Sequence, residues 1–239
     1  FLHMRYMLGP HTLSFFKGRY RRIINSIKPD VVHALRIPFE GMLAAATPEE
    51  FPVILSSWGN DLTLHAHGSW AMGRWTRKAL KRAQGLIADT RRDIRLASEW
   101  GLSSDVPTLV VPGNGGVDLV EIDALKKEKR PKPDFLPPGK QLVINPRGFR
   151  PGSVHNDVFF QSIPLVLKEI PQAHFLCPAM RGQPQAMHWV RKLGVGEHVA
   201  LLPYLPQHQL WDLFLRSQVY VSLSSHDGTP NTLLEAMAC

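Results

Sequence analysis

Short apolar runs alternate with longer amphipathic stretches along most of the chain. The short runs have the length and side-chain types of buried β-strands. They are Val31–Ala34, Val53–Ser57, Leu86–Ala88, Thr108–Val111, Gln141–Asn145, His174–Cys177, Val199–Leu202 and Val219–Ser222.

The stretches between these runs repeat apolar residues at helical spacing. The predicted helices are Thr12–Ile27, Phe39–Ala46, Ser69–Arg82, Thr90–Glu99, Asn156–Ile170, Gln183–Leu193 and Gln207–Arg216, with a further helix starting near Thr232. Strands that alternate with helices are typical of parallel sheets covered by helices on both faces. The sequence therefore predicts an α/β fold.

A charged, proline-rich segment interrupts this alternation. Lys126–Pro133 is followed by Pro137-Pro138-Gly139, which is the composition of a linker. We predict an N-terminal Rossmann-like domain over residues 1–125, a linker over 126–139 and a C-terminal Rossmann-like domain over 140–239. Two doubly wound domains of this kind are expected to face a cleft, with ligands at the carboxyl ends of the strands. Because the chain starts at Phe1 and stops inside a predicted helix, we expect both domains to be truncated.

Composition narrows the class of protein. The 239 residues are 44% hydrophobic and 20% charged, which excludes a disordered tail and a disulfide-stapled miniprotein. No run approaches the ~18–20 apolar residues of a membrane span. Two cysteines, Cys177 and Cys239, are too few for a disulfide framework or a four-cysteine zinc site and fit a reducing cytosol. His65 and His67 lack further ligands at zinc-site spacing, so no metal is expected.

Positive charge is concentrated in the first half of the chain. The net charge of +8 divides into +6 for residues 1–130 and +2 for the rest. The densest basic cluster consists of Arg74, Arg77, Lys78, Lys81 and Arg82, at helical spacing beside Trp70 and Trp75. This pattern fits a helix on an anionic membrane surface, and it also fits an ordinary solvated helix face. Nucleic acid is not expected as a partner, because no RNP-like strand or zinc-finger spacing is present.

The final stretch, Ser224–Cys239, carries the strongest chemical signal. A loop rich in Gly, Thr, Pro and Asn follows a predicted strand and opens a helix, whose first-turn N–H groups and dipole can hold a phosphate. Asp227 and Glu235 supply carboxylates that accept hydrogen bonds from sugar hydroxyls. This combination suits a nucleotide sugar. The alternative is a capping box, Thr232-x-x-Glu235, in which both side chains only satisfy donors at the helix end.

The same stretch resembles the signature of retaining glycosyltransferases of family 4, which have the GT-B fold. There an acidic residue is followed eight positions later by Glu, in a setting like EGxxxxLLEAMACG. The resemblance implies that Asp227 contacts hydroxyls of the donor sugar and Glu235 contacts the ribose. It assigns the intervening contacts to Gly228, Asn231, Thr232 and Leu233. Asp227 stands where the family usually has Glu.

Four other segments resemble the same family. They are Pro29–His33, Leu55–Asp61, Val111–Asp118 and Asn145–Gly148. The resemblance implies that His33, Trp58 and Asp61 line the acceptor side of the cleft and that Arg147 binds the donor diphosphate. Trp58 stands where many members have His. The Lys that usually follows the arginine is absent, and Arg150 is the nearest cation.

The resemblance implies a retaining glycosyltransferase, of the hexosyltransferase type in EC class 2.4, that needs no metal or other cofactor. Asp227 and Arg147 are the expected catalytic residues. The expected partners are a nucleotide diphosphate sugar and a glycan or lipid-linked acceptor of polysaccharide biosynthesis, at the inner face of the cytoplasmic membrane. Two alternatives remain open, a nucleotide-sugar epimerase of the same fold and a non-catalytic fragment that binds sugar nucleotides.

Overall fold

The computed structural model describes residues 2–113, 116–150 and 152–239, with side chains from Met4 onward. The chain divides into two compact units. The first comprises residues 1–114 together with 226–229, and the second comprises 115–225 together with 230–239.

The first unit contains a parallel sheet with the strand order β1-β2-β3-β4. The strands are β1 (Val32–Ala34), β2 (Val53–Ser57), β3 (Gly85–Ala88) and β4 (Thr108–Val110), and the helices are α1 (Leu2–Ile27), α2 (Met42–Ala44), α3 (Trp70–Arg82) and α4 (Arg91–Glu99). Ser69 starts α3 by accepting a hydrogen bond from the Met72 N–H at 3.0 Å. Leu80 of this helix is fully buried with Leu55 and Leu86 of the sheet.

The second unit contains a parallel sheet with the order β7-β6-β5-β8. Its strands are β5 (Gln141–Ile144), β6 (Ala173–Cys177), β7 (Val199–Leu201) and β8 (Val219–Tyr220), and its helices are α5 (Leu119–Lys127), α6 (Asn156–Glu169), α7 (Pro184–Leu193), α8 (Gln207–Arg216) and α9 (Asn231–Ala238). From β5, the sheet continues through β6 and β7 on one side and to β8 on the other. The boundary between β5 and β8 is therefore a topological switch point.

Two layers of apolar side chains enclose the second sheet. Phe159 and Phe160 of α6 are buried with Phe175 of β6, and Phe159 meets the other two rings edge to face. Trp211 and Phe214 of α8 belong to the second apolar cluster. All five residues of β6 are buried, as expected for a central strand covered on both faces. The predicted α/β class with parallel sheets is confirmed.

The structure differs from the sequence prediction in several helical segments. Helix α1 begins at Leu2 and runs through Pro10, well before the predicted start at Thr12. The predicted helix Phe39–Ala46 is wrong: Pro38 has an extended backbone and Phe39 has a φ of +63°, so only the single turn of α2 follows. Helix α5 was not predicted. Asp118 caps it by accepting a hydrogen bond from the Glu121 N–H at 3.0 Å.

The segment predicted as a linker is partly anchored in the second unit. Ile122 and Leu125 of α5 pack in its core, although the prediction placed residues up to 125 in the first domain. Asp212 of α8 then pairs with both Arg130, at 2.8 Å, and Arg216, at 2.9 Å. Charge and proline content indicated a solvated linker, but an apolar helix face and this ion-pair cluster attach the segment to α8.

We expect His174 of β6 to make the second unit sensitive to acid. Burial lowers the pKa of His174, and the nearby His198 and Lys140 act in the same direction. The unfolded chain therefore binds more protons below about pH 6.5, and stability falls as the pH decreases through that value. In urea unfolding at a series of pH values, His174→Leu should lose less stability on acidification than the parent chain. His208→Leu, at an exposed histidine of α8, is the control. Parallel pH profiles for all three proteins would contradict this assignment.

Candidate functional site

The loops that follow β5 and β8 are bound to each other at the switch point. Val154 and Ser224 form an antiparallel bridge, and the His155 N–H donates to the Leu223 carbonyl at 2.9 Å. The Ser224 hydroxyl donates to the Ser153 carbonyl at 2.8 Å. Because parallel strands end at the same edge, both loops open where α/β sheets bind ligands.

Two buried amide side chains fix the loop after β5. Asn145 and Asn156 are only 1% and 2% exposed, and the Asn145 Nδ2 donates to the Asn156 Oδ1 at 3.0 Å. The Asn145 Oδ1 accepts from the Arg147 N–H at 3.0 Å, and the Asn156 Nδ2 donates to the Arg147 carbonyl at 3.1 Å. We call this arrangement the amide clamp. It holds the backbone of Arg147 on both sides.

The clamp holds the main chain of the arginine that the sequence analysis singled out, and a histidine lies on the same loop. Arg147 is 8% exposed, whereas Arg150 is exposed. His155, directly before α6, places its Nε2 3.0 Å from the Ser225 hydroxyl on the loop after β8. Sequence reasoning missed His155, Asn145 and Asn156. The available signal was a polar triplet, His155-Asn156-Asp157, at the start of a predicted helix.

Helix α9 starts at the switch point without a side-chain cap. It begins at Asn231, so Thr232 lies inside the first turn and its hydroxyl is 2.9 Å from the Tyr220 hydroxyl. The Glu235 Oε1 accepts a hydrogen bond from the Gln207 Nε2 at 2.7 Å. The capping-box interpretation is therefore wrong, because both side chains contact groups outside the helix start. The first turn still carries the positive end of the helix dipole.

The predicted donor-side carboxylates differ in their surroundings. Glu235 is 7% exposed, and burial raises its pKa, while the Trp211 and Gln207 side chains act in the opposite direction. Asp227 and Gly228 are half-buried in the 226–229 segment, which groups with the first unit. Leu233 is half-buried and Asn231 is exposed at the start of α9. The second unit thus brings Arg147, Thr232 and Glu235 to the β5–β8 edge.

In the first unit, Asp61 joins the loops that follow β1 and β2. Its side chain is fully buried, and its Oδ2 accepts the Ile37 and Trp58 N–H groups at 3.0 and 3.2 Å. Arg36 pairs with the Oδ1 at 3.1 Å. Burial raises the pKa of Asp61 to about 6, although these three donors favour the charged form. Asp61 therefore holds the two loops at this sheet edge together from the interior of the unit.

His33 and Trp58 are the accessible members of the predicted acceptor side. The His33 Nε2 lies 2.8 Å from the Ser56 hydroxyl, and His33 helps to line a groove of about 310 Å³ between β1 and α1. Trp58 is 39% exposed, and the Arg36 guanidinium lies 5.4 Å from its ring centroid. The segment Val111–Asp118 contains Asn114 and Gly115, which lie outside the described residues.

The basic cluster of α3 is only partly available to a partner. Arg74, Arg77, Lys78 and Lys81 are exposed. Arg82 is half-buried, and its guanidinium donates to the Pro48 and Phe51 carbonyls at 2.9 and 2.8 Å. Arg82 therefore holds the loop before β2 and does not belong to the outward-facing cluster predicted from the sequence. Among the described residues, none of the helices combines the length with the hydrophobicity that a membrane span requires.

Two family models match separate parts of the sequence. Residues 6–90 match the model described as glycosyl transferase 4-like, and residues 180–239 match the model described as glycosyl transferases group 1. No curated protein matches the chain. Three or more His, Cys, Asp or Glu side chains arranged to hold a metal ion are not found in the described parts of either unit.

Solved structures share the fold at low sequence identity. A sucrose-phosphate synthase from Thermosynechococcus elongatus matches 96% of this chain with a TM-score of 0.69 and 15% identity. HepE from Anabaena, in complex with UDP-glucose, matches 93% with a TM-score of 0.67 and 14% identity. An enzyme described as a UDP-N-acetylglucosamine 2-epimerase from Listeria monocytogenes matches 87% with a TM-score of 0.53 and 15% identity. The matches cover 59%, 60% and 55% of those chains, respectively. They confirm the GT-B fold class.

Removing one half of the amide clamp tests its role. Asn156→Ala deletes the donor to the Arg147 carbonyl and the acceptor for Asn145, leaving buried polar groups unsatisfied. We expect a loss of about 1–3 kcal/mol in the free energy of unfolding. Gln161→Ala, at an exposed position of the same helix, should change it by less than about 0.5 kcal/mol. Equal losses in urea unfolding would refute the clamp.

We expect the hydrogen bonds of Asp61 to stabilise the first unit. Asp61→Ala leaves two backbone donors and Arg36 without their acceptor, so the free energy of unfolding should fall by about 2–4 kcal/mol. Asp61→Asn keeps one acceptor oxygen and should lose less. Asp105→Ala, at an exposed position of the same unit, is the control for denaturant unfolding. If Asp61→Ala matched that control, Asp61 would not hold the two loops.

Proposed function

We propose that this chain, which carries parts of a glycosyl transferase 4-like domain and of a glycosyl transferases group 1 domain, moves a sugar from a nucleotide diphosphate sugar to an acceptor hydroxyl. The observation that carries the proposal is the β5–β8 switch point, where clamped Arg147 and the start of α9 share one sheet edge. A fixed cation and a helix N-terminus together suit a diphosphate.

Arg147 and α9 supply the electrostatic part of the proposed reaction. When the bond between the anomeric carbon and the diphosphate oxygen breaks, negative charge grows on the leaving diphosphate. Preorganised donors at that position lower the barrier because they are already oriented. The amide clamp is proposed to contribute to this preorganisation by fixing the main chain of Arg147. His155, whose Nε2 lies 3.0 Å from the Ser225 hydroxyl, is proposed as a further donor to the diphosphate beside Arg150, where the family has a lysine.

The carboxylates are proposed to bind the sugar portions of the donor. Glu235, fixed by Gln207, is assigned to the ribose hydroxyls, and Asp227 to hydroxyls of the transferred sugar. Main-chain groups of Gly228, Asn231, Thr232 and Leu233 would complete the contacts. The acceptor oxygen is proposed to attack the anomeric carbon on the face that the diphosphate leaves, and its proton passes to the departing diphosphate oxygen. This course retains the anomeric configuration. The transferred sugar is proposed to be a hexose.

The nucleotide and the acceptor remain proposals at the level of chemical class. The similar HepE structure contains UDP-glucose, which makes a uridine nucleotide the first probe for this chain. A glycan or lipid-linked acceptor is proposed to reach the side that carries His33 and Trp58. The exposed cations of α3 support a location at an anionic membrane surface on the cytoplasmic side.

An epimerase is the second candidate, since an epimerase structure shares the fold. Two observations favour transfer, namely the match of both sequence segments to glycosyltransferase models and the higher TM-scores of the sucrose-phosphate synthase and HepE. Product analysis separates the two. An epimerase converts the nucleotide sugar without an acceptor, whereas a transferase releases nucleoside diphosphate in proportion to glycosylated acceptor.

Glu235→Gln tests the donor site. Gln keeps the shape and the contact to Gln207 but removes the charge, and charge-assisted hydrogen bonds are roughly twice as strong as neutral ones. We expect the melting temperature to stay within experimental scatter and UDP binding to weaken by about 1–3 kcal/mol in calorimetric titration. Glu197→Gln, at an exposed glutamate of the same unit, should bind UDP like the parent chain.

Asp227→Asn separates the two carboxylates. The variant should bind UDP-glucose more weakly than the parent chain but bind UDP almost equally well, because Asp227 is assigned to the sugar alone. If both variants bind both ligands like the parent chain, and the parent binds them well, the donor-site assignment is wrong. If the parent binds neither, GDP and ADP with their glucose esters are the next probes.

A further inference from the structure

A cationic cavity lies between α1 and α3 in the first unit. Two of its residues, Arg74 and Lys78, belong to the exposed α3 cations proposed above to face an anionic membrane, so this inference rests on that part of the proposed function and not on the transfer reaction. Its volume is about 500 Å³. Its lining consists of His11, Lys17, Trp70, Arg74, Trp75 and Lys78. This lining holds two lysines, an arginine, a histidine and two indoles, but no carboxylate.

The cations of this cavity are held close together on the two indole rings. The Lys17 and Lys78 ammonium groups lie 4.3 and 5.8 Å from the centroid of the same Trp75 ring. The Arg74 guanidinium lies 5.4 Å from the Trp70 centroid. Burial lowers the pKa of Lys17, and Lys78 lowers it further. The indole faces stabilise the cations but do not neutralise them.

None of the ion pairs between described residues includes Lys17, Arg74 or Lys78. Gathering like charges without a counter-charge is unfavourable, and an anion in the cavity relieves that repulsion. Other cations of the chain are used differently. Arg36, Arg82 and Arg216, for example, bind carboxylate or carbonyl oxygens of the protein itself.

We propose that this cavity binds a phosphate group, carried by an anionic lipid headgroup or by a soluble phosphate ester. Lys and Arg side chains that converge in one cavity match the charge and the several acceptor oxygens of a phosphate. Trp75 is 8% exposed and forms an inner wall, whereas Trp70 is 72% exposed and stands at the rim.

The surroundings of the cavity favour a lipid as the source of the phosphate. Along α1, Met7, Leu8 and Phe15 are 45%, 58% and 86% exposed, and they flank His11 of the cavity in sequence. A helix that presents apolar side chains beside cations suits the boundary between headgroups and acyl chains. The exposed indole of Trp70 also suits that depth, because one part of the ring is apolar and its N–H is polar.

Vesicle binding with a charge-matched pair of variants tests the cavity. Lys17→Gln/Lys78→Gln removes one cation from α1 and one from α3, both from the cavity. Arg22→Gln/Lys81→Gln removes one exposed cation from each of the same helices, both outside it. Both variants lower the net charge by the same amount. If binding depended only on a diffuse surface field, both variants should therefore lose the same affinity for the vesicles. The probes are phosphatidylcholine vesicles with and without phosphatidylglycerol, measured by co-sedimentation at several salt concentrations.

We expect the full chain to bind the phosphatidylglycerol vesicles, and the binding to weaken with rising salt. The cavity variant should lose about tenfold more affinity than the charge-matched control. Lys17→Arg/Lys78→Arg keeps the charges and should restore binding. Equal losses in the two Gln variants, or no preference for phosphatidylglycerol over phosphatidylcholine, would overturn the proposal.

Competition by a soluble phosphate ester distinguishes the two sources of the phosphate. If glycerol phosphate competes with the vesicles at low concentration, the cavity recognises the phosphate ester itself. If it does not compete while the cavity variant still loses binding, the lipid surface is required.

Thermal unfolding must show that both Gln variants keep the melting temperature of the parent. If the cavity variant does not fold, the single variants Lys17→Gln and Lys78→Gln replace it. No donor or turnover is involved, so failure here leaves the proposed transferase reaction standing.

Discussion

Parallel strand pairing is the constraint on which both units depend. Strands that run in the same direction place all their carboxyl ends at one edge, and the loops and helix starts that follow this edge in the second unit carry most of the residues assigned to the proposed donor site. In the second unit the outward order from β5 leaves the loops after β5 and β8 side by side. The bridge between Val154 and Ser224 then fixes their relative position. A cation from one loop and a helix start from the other can thus act on one ligand.

Buried polar contacts make these loops rigid at both sheet edges. In the second unit two amides hold the backbone of Arg147. In the first unit one carboxylate, Asp61, holds two backbone N–H groups and Arg36. Unsatisfied buried polar groups are costly, so each cluster persists only when every partner is in place. Each cluster therefore ties the described residues of its loop to the edge of the sheet.

The strands could be predicted from the sequence almost residue by residue, because apolar runs of this length have few other uses. All strand ends lie within one residue of the prediction except that of β8, which stops at Tyr220. The sequence prediction failed where the hydrophobic pattern alone does not determine the local structure. Pro38 supplies no N–H, and the chain turns there through Phe39, which hydrophobic spacing alone does not reveal. Helix α5 was hidden because its basic end merges with the charged segment that follows.

The candidate site was predictable in its residue types but not in its connections. The family motif pointed to Arg147, Asp227 and Glu235, yet it gave no indication of the amide clamp, since Asn145 and Asn156 are eleven positions apart. Spacing suggested a capping box for Thr232 and Glu235. Tertiary contacts to Tyr220 and Gln207 replaced it. Such contacts join distant parts of the chain, and a one-dimensional pattern does not contain them.

The cations of this chain have two physical roles, and the groups that they contact tell the roles apart. Where an arginine donates to carbonyl or carboxylate oxygens of the protein, as Arg82 does to Pro48 and Phe51, its hydrogen-bond donors are already occupied within the fold. Where cations meet only indole faces, as Lys17 and Lys78 do on Trp75, their field remains directed outward. A count of basic residues on α3 treats Arg82 and Lys78 as equivalent, although only Lys78 can attract an external anion. The electrostatic surface of this protein is therefore set by the acceptors that the fold supplies, more than by the number of cations in the sequence.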